Sequence, residues 1–338
     1  MGRYFRIILQ FLFFAGLSVG LLWLAFRGMS LNVLKEGIKT SDNFFVILAL
    51  AAGLLSYVFR AMRWQLLIQP LGFKPRLWDV FNGLMSGYLA NFVFPRIGEV
   101  VRCAALSRKA TIPADKLIGT VIIERVVDLL CLAIITISFF MFRFNLFVTL
   151  FEQGGDYFSM PLERFAFVIG AVLIFAVLFL CFVFFAFKRY VPQGKLRDKI
   201  KKWVTGITQG IKALLLLRNR VAFLLLTFLV WMSYFAMTWL LFKAIPATAH
   251  LSVTDAMFIL VVGSFAFVIP AQGGIGSFHL IVSLGLTVLG VLKSDGLVYA
   301  TISHSTQSVF AILIGIISFI AIFAGQRYNT TQKSDKSI

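Results

Sequence analysis

Six long apolar runs constrain this chain more than any other feature: residues 7–26, 44–59, 117–142, 165–187, 221–242 and 297–324. Several exceed the roughly 18 residues that carry an α-helix across about 30 Å of hydrocarbon. A segment inside a bilayer must satisfy its own backbone hydrogen bonds, so these runs predict helices. Hydrophobic residues make up 60% of the 338 and charged residues only 14%, which excludes an ordinary soluble domain. The expected fold is all-α: a polytopic integral membrane protein with about six full spans. Arg3 and Arg6 precede the first run, as they would in a signal peptide. That run is long for a signal sequence and no small-residue cleavage site follows it, so it reads as a span.

The formal net charge is +18, and its placement argues against a nucleic-acid partner. Residues 188–220 carry ten basic side chains against one acid, Asp198, between two apolar runs. This pattern marks a basic cytoplasmic loop, with attraction to anionic headgroups as a second contribution. Alternation then places both termini, loop 60–76 and loop 96–116 in the cytoplasm. Loops 27–43 and 143–164 fall outside, although the first carries Arg27, Lys35 and Lys39.

Alternation fails at one place, because two consecutive basic loops flank the apolar run 78–94 and both ask for the same side. A re-entrant element over 78–109, broken at Pro95 and Gly98, resolves the conflict; irregular backbone at that depth requires surrounding protein or a water-filled cavity. A second such element is expected over 253–292, broken at Pro270 and Gly276 and entered from the opposite side. The stretches "GLMSGYLANFVFPRIG" at 83–98 and "VGSFAFVIPAQGGIG" at 262–276 share an order of small residues, aromatics, then proline and glycine. Paired broken segments in opposite halves point to a central site in a transporter. The organisation read from this is an inverted pseudo-repeat inside one transmembrane domain, residues 1–326, followed by a polar tail, 327–338.

The polar residues within the apolar background are the candidates for chemistry. Arg60 and Arg63 lie three apart and share a helical face, so they read either as interfacial anchors beside Trp64 or as a fork for phosphate oxygens. Arg96, Glu99 and Arg102 repeat that spacing from the first break; they form either a self-neutralising ion network or part of a pathway. Glu124, Arg125 and Asp128, early in the third span, suit a structural ion network that pairs with 96–102. In the second break Gln272, Gly273 and Gly274 would expose backbone amides, with Ser277 and His279 as further donors. Asn91 completes the headgroup-binding set of Arg60, Arg63, Asn91, Arg96, Glu99, Arg102, Gln272, Gly273, Gly274, Ser277 and His279. His304 belongs to a polar patch with Ser303, Ser305, Thr306 and Gln307, which either lines a cavity or bonds between helices. Cys103, Cys131 and Cys181 show no disulfide or metal-ligand spacing. No phosphate loop, HExxH or nucleophile with a matched base occurs, so the expectation is a protein that is no enzyme and needs no cofactor or metal.

The segments "RAMRW" at 60–64, "NFVFPRIGEVVR" at 91–102, "ERVVD" at 124–128 and "PAQGGIG" at 270–276 resemble the motifs of the lysylphosphatidylglycerol synthase transmembrane region, also called flippase-like. The resemblance covers about residues 5–325. It implies a multi-pass protein of a bacterial or archaeal cytoplasmic membrane, related to the lipid-translocating half of multiple peptide resistance factors. The soluble synthase domain of those proteins is not expected in this chain, so aminoacyl transfer is not expected either. The implied partner is a membrane lipid, an anionic phospholipid or a polyprenyl-phosphate lipid. The implied function is lipid translocation; the alternative is a non-transporting partner that presents lipid to a separate glycosyltransferase or synthase.

Overall fold

Five helices are long and apolar enough to cross a membrane in the computed structural model, which describes residues 2–157, 217 and 219–334. Among the described residues every regular element is helical. The helices are α1 (Gly2–Phe26), α2 (Leu31–Lys39), α3 (Asn43–Ile68), α4 (Leu77–Val93), α5 (Gly98–Ala110), α6 (Ala114–Phe142), α7 (Phe144–Tyr157), α8 (Arg220–Ala244), α9 (Val253–Ala266), α10 (Ser277–Val288) and α11 (Lys293–Ser334). The expected span at 165–187 and most of the basic segment 188–220 lie outside the described residues.

Local chemistry sets several of these boundaries. Ser30, Asp42 and Asn219 cap α2, α3 and α8, each accepting an amide hydrogen from the first turn. Ser252 and Asp255 form a reciprocal capping box at α9. Helix α3 continues to Ile68, so Arg60 and Arg63 sit inside a helix and not in a 60–76 loop. The expected loop 27–43 contains α2, and 143–164 begins with α7. Helix α11 runs on through Ser334, past the expected start of the polar tail at 327.

Helices α3 and α8 pack antiparallel: the Asp42 amide donates to the Ala244 carbonyl at 2.8 Å at one end, while Leu67 and Phe223 share a buried cluster at the other. Around this pair the element order repeats, a long helix, a helix–break–helix unit and a long helix: α3, α4–α5, α6 and then α8, α9–α10, α11. Each broken unit folds back on itself. Gly83 faces Arg102 and Leu106 while Gly87 faces Gly98 and Arg102, so α4 and α5 run antiparallel in close approach. Gly263 faces Phe278 and Val282 while Gly285 faces Ile259 and Val262, which makes α9 and α10 a second antiparallel hairpin. Small residues at these crossings let backbones touch, the usual device where lipid supplies no hydrophobic drive between helices.

The two hairpins approach from opposite ends of the bundle. Helix α2, the start of α3, the end of α8 and the start of α9 gather at one end, where Gly37 meets Val298 of α11. The start of α4, the end of α5 and the start of α6 lie at the other, where the Gln65 side chain donates to the Pro75 carbonyl and Lys116 sits over Phe73. Among the described residues the two larger apolar cores form around Trp64, Met85, Leu106 and Val121 and around Phe242, Phe258, Val282 and Tyr299. Large apolar side chains remain exposed on α1, α6, α8 and α11, among them Phe13, Trp23, Leu129, Ile134, Leu224 and Ile317. For a multi-pass membrane protein these are the faces that lipid covers.

Candidate functional site

The first break follows from its proline. Phe94, the residue before Pro95, is pushed to extended backbone (φ −133°, ψ 125°), which ends α4. Arg96 then adopts φ +65°, a left-handed conformation that costs a non-glycine side chain of order 1 kcal/mol. Helix α5 starts two residues later, and its Gly98 amide donates to Asn91 Oδ1 at 2.7 Å. Asn91 thus satisfies one of the amides that a new helix leaves without a partner.

The second break is built by glycine. Gly273, Gly274 and Gly276 all take positive φ (58°, 82° and 85°). At Gly276 a Cβ would stand 2.6 Å from the Ser18 carbonyl oxygen, so α1 leaves no room for another residue. The Gln272 amide donates to Ser18 Oγ at 2.8 Å, and the amides of Gly274 and Ile275 donate to Ala271 and Gln272 carbonyls within the break. The amides expected to form an open anion nest are therefore largely engaged already. Ser18 lies midway along the apolar run of α1, which places this break at mid-height of the bundle.

The two breaks touch. Arg96 Nη2 donates to the Val268 carbonyl at 2.8 Å, the Gln272 side-chain amide donates to the Val93 carbonyl at 3.1 Å, and Gly273 packs against the ring of Phe92. Two segments that are about 170 residues apart in sequence thus meet at one point, with Arg96 donating across it.

Beside the contact lies a buried ion network. Glu124 on α6 is fully buried and carries four arginine contacts: Arg60 Nη2 at 3.0 Å, Arg63 Nη2 at 3.4 Å, Arg102 Nη1 at 3.2 Å and Arg125 Nη2 at 2.9 Å. Asp128 pairs with Arg63 at 2.7 Å and Arg125 at 3.2 Å, and Glu99 pairs with Arg102 at 2.8 Å. Aromatic groups complete the surroundings: Arg102 stacks over Trp64, Arg60 over Tyr88, and Tyr234 accepts from Arg60 Nη1 at 3.0 Å. Such a cluster is tolerable away from water only because nearly every charge has an opposite neighbour.

A cavity of about 770 Å³ opens where the network meets the two breaks, within the range of small-molecule sites. Arg60, Asn91, Arg96, Glu99, Gly273 and Gly274 of the expected headgroup set line it. Arg63 and Arg102 do not: their side chains are 0% and 2% exposed and turned to the acids. Ser277 and His279 are buried behind the second break, where Ser277 donates to the Gly274 carbonyl and His279 packs against His304. Gln272 serves the contact between breaks. Arg125 and Asp128, expected in a structural ion network, belong to one and also border the cavity, where the Arg125 side chain is 40% exposed.

Sequence reasoning missed the aromatic wall of Tyr57, Tyr88, Trp231 and Tyr234. Within apolar helices rich in aromatics, no spacing distinguishes these four from lipid-facing rings. His304, expected in a polar patch, lines the cavity, and its Nε2 lies 2.9 Å from the Gly273 carbonyl. Because a carbonyl only accepts, Nε2 carries the hydrogen in this arrangement.

Among the described residues no cluster of His, Cys, Asp and Glu is arranged to hold a metal. A UPF0104 membrane protein of Methanocaldococcus jannaschii is 27% identical to this chain over 174 residues, 51% of the chain and 48% of the relative. The chain thus spans about half the length of the curated relative that it matches. No solved structure matches. The family model for the lysylphosphatidylglycerol synthase transmembrane region matches residues 7–315, nearly the whole described bundle with both breaks and the ion network, and the chain belongs to that family.

Proposed function

We propose that the cavity receives the headgroup of a phosphate-bearing membrane lipid and that the protein moves this lipid between leaflets. The observation that carries the proposal is the charge imbalance around the cavity. Five arginines, at 60, 63, 96, 102 and 125, stand against three carboxylates, at 99, 124 and 128. Among the described residues Arg96 makes no ion pair, only the bond to the Val268 carbonyl. An excess of two positive charges in a site walled by apolar helices is costly alone and favours a bound anion. Guanidinium groups match phosphate oxygens with paired donors, and Arg60, Arg96 and Arg125 all border the cavity.

In this reading the helical hairpins α4–α5 and α9–α10 are re-entrant, entering from opposite faces and meeting at mid-membrane. The α4-start end carries Lys74, Arg76, Arg108, Lys109 and Lys116, and the start of α8, which lies there too, follows the basic sequence 188–220, so this end becomes the cytoplasmic face by the positive-inside rule. The acyl chains remain among the apolar helix faces, so only the headgroup needs the polar route.

The test is transbilayer movement in liposomes that hold the purified, folded chain. With a fluorescent anionic phospholipid, inner-leaflet probe should become accessible to a membrane-impermeant quencher outside much faster than in protein-free vesicles. Arg125→Gln should lower that rate. No acceleration for any anionic or polyprenyl-phosphate lipid would overturn translocation. Binding without movement would instead favour a protein that presents lipid to a separate glycosyltransferase or synthase.

A further inference from the structure

The cavity is chemically divided. All five charged side chains that border it, Arg60, Arg96, Glu99, Arg125 and Asp128, come from the α3–α6 half. The opposite wall, on α8 to α11, contributes no charge. It presents Ser303, His304, Gln307 and Ser308 from α11, with Thr238 and Ser264 beside them. Residues 303, 304, 307 and 308 fall one helical turn apart in two pairs and so share one face of α11. Ser305 and Thr306, between them, do not border the cavity.

The separation of the two poles is readable along α3. Gln307 lies against Gly53 and donates to the Ala49 carbonyl at 3.3 Å. Gly53 precedes Arg60 by two helical turns, roughly 10 Å of rise. A ligand whose phosphate meets Arg60 thus has roughly 10 Å of further cavity to fill. The groups waiting there are neutral donors and acceptors flanked by aromatic faces, Phe267 and Phe278 among them. A cationic group at that end would be desolvated without a carboxylate partner, which costs several kcal/mol. An apolar group would leave Gln307 Oε1, buried without a hydrogen-bond partner, still unmatched, while the His304 nitrogens already meet the Gly273 carbonyl and the Ser308 hydroxyl. A group rich in hydroxyls satisfies both conditions, since each hydroxyl donates and accepts.

We infer that the lipid taken by this cavity carries an uncharged polyol, a glycerol or a sugar, beyond its phosphate, and that Ser303, His304, Gln307 and Ser308 recognise it. This deepens the phosphate-lipid reading above and rests on it for the position of the charged end. The inference excludes an aminoacylated headgroup as the preferred ligand, because the distal wall offers no counter-charge to an ammonium.

The experiment is equilibrium binding of short-chain lipids to the purified full chain, followed by intrinsic tryptophan fluorescence. Four probes separate the contributions: phosphatidic acid, phosphatidylglycerol, lysylphosphatidylglycerol and a phosphate-free diglycosyl diacylglycerol. Phosphatidylglycerol should bind about tenfold more tightly than phosphatidic acid, the gain from one or two neutral hydrogen bonds. Lysylphosphatidylglycerol should bind more weakly than phosphatidylglycerol. Ser308→Ala, and separately Gln307→Leu, should reduce the preference for phosphatidylglycerol while leaving phosphatidic acid unchanged. Thermal melting confirms that each variant is folded, and Ser308→Ala serves if Gln307→Leu disturbs packing at Gly53. Equal affinity for all three phospholipids, or tightest binding of the lysyl form, overturns the polyol inference. Binding of the diglycosyl lipid with no binding of phosphatidic acid overturns the phosphate reading and leaves the polyol wall standing. Failure of all four overturns both. Glycerol phosphate without acyl chains should not compete at equal concentration; if it does, the ligand is a soluble polyol phosphate and the lipid assignment fails.

Discussion

Replacing Glu124 by glutamine tests the ion network at its centre. The side chain keeps its volume, so the perturbation is electrostatic. Glu124 is fully buried and touches four guanidinium groups at 2.9 to 3.4 Å. Removing its charge leaves Arg60, Arg63, Arg102 and Arg125 with only Glu99 and Asp128, and Arg63 and Arg102 have almost no solvent to compensate. Breaking a buried ion pair by removing one partner costs about 3–5 kcal/mol. For a chain of this size each kcal/mol lowers the melting temperature by about 2–4 °C. The expected drop is therefore about 6–20 °C, read by tryptophan fluorescence in detergent. A double-mutant cycle with Arg63→Gln sharpens the test: the double variant restores the original excess of arginines over acids in the cluster. It should be more stable than the sum of the single effects by about 0.5–3 kcal/mol. A Glu124→Gln variant that melts within about 1 °C of the parent, or singles that simply add, would refute the claim that Glu124 holds the four arginines together.

Other outcomes follow from the same geometry. Arg125→Gln should shift the melting temperature by less than a third of the Arg63→Gln shift, because Arg125 is 40% exposed and Arg63 is not, yet weaken anionic-lipid binding more; paired melting and binding curves decide. Gly276→Ala should destabilise by at least about 2 kcal/mol, since a Cβ would meet the Ser18 carbonyl at 2.6 Å at a φ that alanine disfavours; an unchanged melting curve would count against the close approach of α1. Asn91→Ala should cost about 1–2 kcal/mol, leaving the Gly98 amide without its acceptor, while Asn91→Asp retains most of it. Arg96→Gly should be more stable than Arg96→Ala, because both lose the bond to Val268 and only glycine relieves the left-handed backbone; the reverse order in melting temperature would refute backbone strain at that position.

Much of the fold was legible because membrane insertion leaves its record in composition. Five of the six apolar runs coincide with the described long helices, and the proline and glycine positions at 95, 98, 270 and 276 mark where the helical backbone is interrupted. The boundaries were less legible. The apolar run ends at Phe59, yet α3 continues to Ile68, because Arg60 and Arg63 find carboxylates on α6 and need not reach water. Helices α2 and α7 are not legible in the sequence, since they are too short or too mixed to stand out against longer apolar neighbours.

The candidate site divides in the same way. Sequence alone determined that this is a polytopic helical protein, that charge concentrates at three motifs around the first proline break, and which residue types are able to meet an anion. Those are properties of local composition and spacing, readable within a few helical turns. Which arginine is spent on a carboxylate and which faces the cavity was decided only by tertiary packing. Arg63 and Arg102 are withdrawn by Glu124, a residue 61 and 22 positions away in sequence, whereas Arg96 and Arg125 remain at the cavity wall. The neutral wall of α11 and the contact between the two breaks arise in the same manner, from segments that helix packing alone brings together. The partner of a buried charge is chosen by three-dimensional proximity, and proximity between distant helices has no signature in the spacing of either one.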